Sequence, residues 1–295
     1  LIAKDGHVYQ WNLDPFEIQK RDGTVQHTLV GINSATTFTG FCSKHDQQLF
    51  KPIDIGSLLP TKEQAFLLHY RALCRELYVK RPTLASNKAL READRDRPHE
   101  FQSMLQHLIS GQEVSISTSL KELNDEKAIC DAAILKRSYD GINALVIHFD
   151  QIPSIACSGH TQPIYDFAGN EIQNLADMAT PLAKLSFTLL PSDSGGIGLI
   201  TWLSNPDFIC RRFADSLLSV PDDLKCSAIV QWVFDSFENH ALEPLWWELL
   251  AEDKKDQLKL ISLNWTPASA FIDSGSIVPT GTEFADWRLR SFAWL

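Results

Sequence analysis

A cysteine, a histidine and an aspartate stand close together in the stretch Gly40-Phe41-Cys42-Ser43-Lys44-His45-Asp46. Thiolate and imidazole are donors that zinc favours, and structural zinc sites take four such donors in a tetrahedron. Residues three apart at the start of a helix share a face, so Cys42 and His45 can reach one ion. Asp46, directly behind them, adds a carboxylate suited to a divalent cation such as Mg²⁺ or Mn²⁺. The plainer account makes Cys42 a small buried hydrophobe and His45 and Asp46 the polar start of a helix, where acidic residues are at home without any chemistry. A lone Cys-x-x-His pair is a weak motif, and both accounts stand at this point.

Other groupings offer less. His148-Phe149-Asp150 closes an apolar run, and Cys157-Ser158-Gly159-His160 follows soon after. A hydrolase built on His148, Asp150, Cys157, His160 and Asp166 requires those side chains to converge from separate segments. A polar pair at a strand end and a buried cysteine before a turn explain the same residues. Asp166-Phe167-Ala168-Gly169-Asn170 reads as a turn. Ser194-Gly195-Gly196-Ile197-Gly198 is glycine-rich but has no P-loop lysine, so it reads as a hairpin and not as a nucleotide site.

The elements that must carry these residues follow from periodicity. His7-to-Leu13 and Thr24-to-Ile32 read as strands joined through the Asp22-Gly23 turn, and Ala35-to-Thr39 as a further extended segment. A short helix is expected from Cys42 to Phe50. After a connection punctuated by Pro52 and Pro60, Thr61 and Gln64 form a capping-box pattern that opens a helix to about Lys80. More helix is expected over Asn87-to-Ile109, interrupted at Pro98, and over Leu123-to-Tyr139, with Arg91-to-His99 facing water. From residue 141 the pattern changes. Strands are expected at Ala144-to-Phe149, Pro153-to-Cys157, Lys184-to-Leu190 and Gly196-to-Leu203, the last two as a hairpin. Helices follow from Asn205-Pro206, over Asp222-to-Phe237 and over Glu243-to-Leu260, then a loop-rich tail ending in the aromatic segment Trp287-to-Trp294. The sum is an α+β protein with a finger-like unit at 1–58 and a body at 59–295.

Composition sets the outer limits. At 295 residues and 44% hydrophobic, with eight Trp and sixteen Phe, the chain can bury a large core. No apolar run approaches the roughly 20 residues of a membrane span. Six scattered cysteines without a CxxC pattern, and no visible secretory signal, point to reduced thiols and a cytoplasmic setting. A net charge of −10 argues against a broad nucleic-acid-binding face and leaves only a local site. The adjacent Trp246 and Trp247 cannot both face one core from a helix, so one is expected to meet another element or a partner chain.

A hairpin followed by a helix that opens on Cys42 and His45 resembles the treble-clef, or ββα-metal, finger of HNH-type endonucleases, over residues 1–50 only. The resemblance implies a structural Zn held by Cys42 and His45. It also implies a catalytic Mg²⁺ or Mn²⁺ near the hairpin–helix junction with Asp46 as a catalytic residue, and a nucleic-acid substrate. It further implies a nuclease, or a nuclease-derived component, in bacterial phage defence. The family's first ligand pair and its catalytic histidine have no counterpart ahead of Cys42, and the chain opens on Leu1 rather than Met. The resemblance therefore places those groups upstream of this sequence. The competing expectation is a non-enzymatic protein-interaction subunit of a bacterial complex, with an apolar patch near Trp246 or Trp287-to-Trp294.

Overall fold

Ile142-Asn143-Ala144-Leu145-Val146-Ile147-His148-Phe149 is apolar on both of its period-two faces, the pattern of a strand covered on both sides. The computed structural model describes residues 2–12, 26–55, 58, 60–92, 94–174, 180–204, 207–262 and 276–295. In it this segment is β3, near one end of an eight-stranded antiparallel sheet. The other strands are β1 (His7–Asn12), β2 (Gln26–Gly31), β4 (Ile155–Thr161), β5 (Leu185–Ser192), β6 (Gly195–Leu203), β7 (His240–Leu242) and β8 (Leu289–Trp294). Their order across the sheet is β2-β1-β7-β4-β5-β6-β3-β8. The protein is α+β, as the sequence leads one to expect.

Helices are α1 (Ser43–Leu49), α2 (Lys51–Asp54), α3 (Lys62–Glu92), α4 (His99–Lys136), α5 (Asp207–Ser219), α6 (Asp222–Ser236), α7 (Pro244–Leu249) and α8 (Glu252–Ser262). One face of the sheet presents Leu145, Ile147, Phe149, Ile155, Cys157, Leu185, Phe187, Leu189, Ile200 and Trp202 to α5, α6 and α8. At its centre Trp232 lies against Phe187, Phe213 and Phe237, with ring centroids 4.6, 4.9 and 5.2 Å away. Aromatic rings of this kind dominate core energetics through the large area each removes from water. The other face presents Ala144, Val146, Ile197 and Leu199 to Ala65 and Leu68 of α3, and α4 packs on α3.

Several expectations are corrected. Ala35–Thr39 is not a single extended segment: Ala35 and Thr36 belong to a turn over residues 32–36, closed by Ser34 and Ala35 N–H donating to Gly31 O. The first long helix does not stop near Lys80 but continues through Pro82 to Glu92. Its extension is held to α4 by Arg91, which donates to Gln106 Oε1 at 2.6 Å and to Glu113 Oε2 at 2.7 Å. The two helices expected over 87–109 and 123–139 become the end of α3 and a single α4 that starts just after Pro98. Glu243-to-Leu260 divides into α7 and α8. β7 and β8 were not expected as strands. The Asp22-Gly23 turn, the Asn205-Pro206 helix start and the tail from Asn264 to residue 275 lie outside the described residues.

The hairpin of β1 and β2 joins the sheet through β7, where Tyr9 and Gln10 pair with Leu242 and Ala241. Hydrogen bonding therefore runs on from the 1–58 segment into the remainder of the chain. Trp246 and Trp247 are both buried but meet different elements. Trp246 Nε1 donates to Phe284 O at 3.2 Å, whereas Trp247 stacks on Phe234 of α6 and lies 4.7 Å from His27 of β2. Among the described residues, no helix is long and apolar enough to cross a membrane.

Candidate metal centre

Register places three polar residues in one row across the middle of the sheet. His160 of β4 is opposite Ser186 of β5, which is opposite Thr201 of β6. Strand alternation turns the row towards α3, because Leu185, Phe187, Ile200 and Trp202 on either side face the opposite core. Above the row lies His69, on the buried side of α3 with Phe66 and Leu73. Three to four residues separate these positions, the spacing of one helical face. Glu126 of α4 completes the group.

The five side chains form a closed circuit. Glu126 Oε1 is 3.1 Å from His69 Nε2, and Glu126 Oε2 is 3.4 Å from His160 Nε2. On the far side, Ser186 Oγ is 3.0 Å from His69 Nδ1 and 2.9 Å from His160 Nδ1. Thr201 Oγ1 lies 3.4 Å from His69 Nδ1. His69 is wholly buried. Burial lowers the pKa of its ring, though Glu126 pulls the other way. Burial alone would raise the Glu126 carboxyl, but the adjacent His160 and His69 carry it well below the usual carboxylate range. An ionised carboxylate beside a neutral imidazole is the state in which both donate lone pairs to a metal.

Counting hydrogens sharpens the point. The Ser186 hydroxyl has one hydrogen and two imidazole neighbours, so it donates to one ring and must accept from Nδ1–H of the other. A neutral ring protonated at Nδ1 has a bare lone pair at Nε2. Both Nε2 atoms face Glu126, so with both rings neutral one lone pair meets a carboxylate oxygen with no hydrogen between them. His160 Nε2 is compatible with that description: it lies 3.4 Å from Glu126 Oε2 but out of line for a hydrogen bond, and none of the described residues bonds to it. The circuit calls for one more positive charge, as a proton or a metal ion. One donor atom from each of His69, Glu126 and His160 lies within 4.8 Å of the other two, close enough for the three to converge on one ion. With an ion held on the Nε2 side, both Nδ1–H groups would donate to the two lone pairs of Ser186, which would then orient the two rings.

His160 also lines a cleft of about 370 Å³ whose wall includes Arg75, Lys80, Lys184, Glu76, Glu238 and Asn239. Each cation there has a carboxylate beside it: Lys184 with Glu122 at 2.7 Å, Lys80 with Glu76 at 3.1 Å and Arg75 with Glu238 at 3.7 Å. This balanced wall does not resemble a phosphate-tracking groove.

The residues singled out from spacing are placed as follows. Cys42 caps α1 and His45 sits in its first turn, with Cys42 Sγ and His45 Nδ1 3.2 Å apart and both exposed. Among the described residues, no further His, Cys, Asp or Glu joins the pair as a group of three metal donors, and the only such group is His69, Glu126 and His160. Asp46 lies 3.5 Å from Arg71 and lines a second cleft with Arg75, Cys157 and Asn239. Of the five residues weighed as a hydrolase, only His160 reaches the centre. Cys157 and His160 take opposite faces of β4, Asp150 pairs with Arg290 at 2.8 Å, and Asp166 accepts from the Ala168 and Asn170 amides of its own turn. None of the six cysteines, all of them described residues, is in a disulfide.

No protein-family model, no curated protein and no solved structure matches this chain.

Proposed function

We propose that the protein is a metal-dependent hydrolase centred on His69, Glu126 and His160. The observation that carries this reading is that His160 Nε2, buried and without a hydrogen bond among the described residues, lies 3.4 Å from a carboxylate oxygen of Glu126, whose other oxygen is 3.1 Å from His69 Nε2. Two histidines and one glutamate are also a donor set of catalytic zinc sites, which keep a fourth position for water or substrate. A divalent ion held there would act as a Lewis acid and bring bound water to a pKa of about 7. His69 and His160 would hold it through Nε2, Ser186 would fix both rings, and the cleft beside His160 would admit the substrate. The paired cations of that cleft favour a neutral or mixed-charge substrate over a nucleic acid.

The test is equilibrium dialysis of chelator-stripped protein against Zn²⁺ or Co²⁺, followed by hydrolysis of chromogenic esters and amides. One equivalent is expected, with metal-dependent cleavage. Glu126→Gln, which keeps the shape of the side chain, should lower affinity at least tenfold. A folded wild-type chain that takes up no metal would overturn the reading.

The HNH-like reading stays as a second proposal because Cys42 and His45 do approach each other. It places zinc at those residues and cleavage of nucleic acid near Asp46, and it requires donors outside the described residues. Cys42→Ser with His45→Ala separates the two: unchanged metal content favours the buried centre, whereas lost metal and lost plasmid cleavage with Mg²⁺ or Mn²⁺ favour the finger.

A further inference from the structure

Beside the candidate centre, three polar groups are under-bonded at one place. Asn239 is buried, and its Nδ2 donates to Ser158 O at 2.7 Å, which fixes the orientation of the amide. Its Oδ1 is then an acceptor with no partner among the described residues. Arg75 Nε–H, also buried, is a donor with no partner among them. Arg75 and Asn239 both line the cleft at His160 and the second cleft at Asp46, so together they form the wall between the two. Glu238 is next to Asn239 and is only 3.7 Å from the Arg75 guanidinium, long for a charge-assisted hydrogen bond. Burial raises its pKa even though Arg75 opposes that effect, so its charge is incompletely compensated.

A ligand that fits this wall brings an N–H donor to Glu238 and an oxygen to the Arg75 guanidinium, beside the solvent-shielded Arg75 Nε–H and Asn239 Oδ1. We propose that Arg75, Glu238 and Asn239 bind a primary ammonium and its adjacent carbonyl, the pair found in an amino-acid amide and at the N-terminus of a peptide. The ammonium completes the charge of Glu238, and the carbonyl oxygen accepts from the guanidinium. The position fits a substrate that reaches the candidate centre. Arg75 follows His69 by six residues on α3, about 9 Å along the axis. Ser158, which holds Asn239, precedes His160 by two residues on β4, about 7 Å. An extended peptide covers such a span in roughly two or three residues. The hydrolase reading supplies only the role of this subsite as substrate recognition; the binding claim does not need the metal.

The experiment is calorimetric or NMR titration of chelator-stripped and zinc-treated protein with trialanine amide, its N-acetylated form and alaninamide. Trialanine amide should bind at least tenfold more tightly than the acetylated peptide in both preparations. Glu238→Gln, an isosteric change at a partly buried side chain, should abolish that preference while leaving the far-UV spectrum unchanged. Alaninamide binding as tightly as the tripeptide amide identifies a small amine as the ligand, and weaker binding identifies a peptide N-terminus. Equal affinity for free and acetylated peptides, or a preference that survives Glu238→Gln, overturns the assignment. Zinc uptake with no ammonium preference rejects this subsite alone, and the preference without zinc uptake rejects the metal centre alone.

Discussion

At the scale of single residues, the chemistry turns on hydrogens that have one place to go. Ser186 sits between two imidazoles and gives each a fixed tautomer when both Nε2 atoms are engaged. Removing its hydroxyl should therefore weaken metal binding without removing a ligand. We expect Ser186→Ala to lower affinity about 10–100-fold, measured by competition with a chromophoric chelator, with the thermal unfolding curve of the metal-free protein little changed. A second buried pair responds to acid. His27 Nε2 and His240 Nε2 are 2.9 Å apart, among Trp11, Phe234 and Trp247. Since His240 Nδ1–H donates to Phe237 O, His240 Nε2 accepts and His27 Nε2–H donates. Both rings are pushed to the neutral state chiefly by burial, His240 down to about 4. A folded pKa below the unfolded value gives stability that is present above the unfolded pKa of about 6.5 and is lost as pH falls towards 4. His240 alone accounts for up to about 3 kcal/mol of that loss. Denaturant midpoints across this range should fall with pH, and His240→Gln should flatten the slope. The lowered Glu126 carboxyl acts in the same direction but in a more acid window, so the histidine pair yields first.

At the scale of elements, the tight parts of the fold are those that sequence announces. Pro191-Ser192-Asp193-Ser194-Gly195 reads as a hairpin, and β5 and β6 are joined there with Ser192 paired to Gly195. Gly195 has φ +130, and a Cβ there would overlap the carbonyl oxygen of Phe149 in β3. Gly195→Ala should cost at least about 1–3 kcal/mol, read from the chemical denaturation midpoint. Elements whose ends depend on a distant partner are harder to read. Pro82 suggests a stop, yet α3 runs on, its extension held to α4 by the Arg91 bonds to Gln106 and Glu113. β7 is three residues long and gains its identity only by lying between β1 and β4. The same reason hides the candidate centre. Its residues come from α3, α4 and β4, and Glu126 stands within Asn124-Asp125-Glu126-Lys127, which reads as a solvated charge run. One signal was present: His69 falls on the apolar stripe of Phe66 and Leu73, where an imidazole needs a partner. The Cys42–His45 pair, by contrast, was legible because its spacing is local.

At the scale of the whole molecule, one sheet ties the first residues to the last. The strand order puts the β1–β2 hairpin at one edge and β8 at the other. If the 1–58 segment were a separate finger, a chain of residues 59–295 would keep its fold. The pairing of β1 with β7, together with His27 packing against His240, leads us to expect otherwise. That fragment should show raised hydrophobic-dye binding and faster amide exchange around residues 240–242. The same connectivity has a consequence for a chain made from its N-terminus onward. Tyr9 must wait for Leu242 to leave the ribosome, a delay of roughly ten to fifty seconds at ordinary elongation rates. Through that interval the opening ribbon has an unfilled edge, so nascent chains stalled short of residue 240 should recruit chaperones that longer ones release.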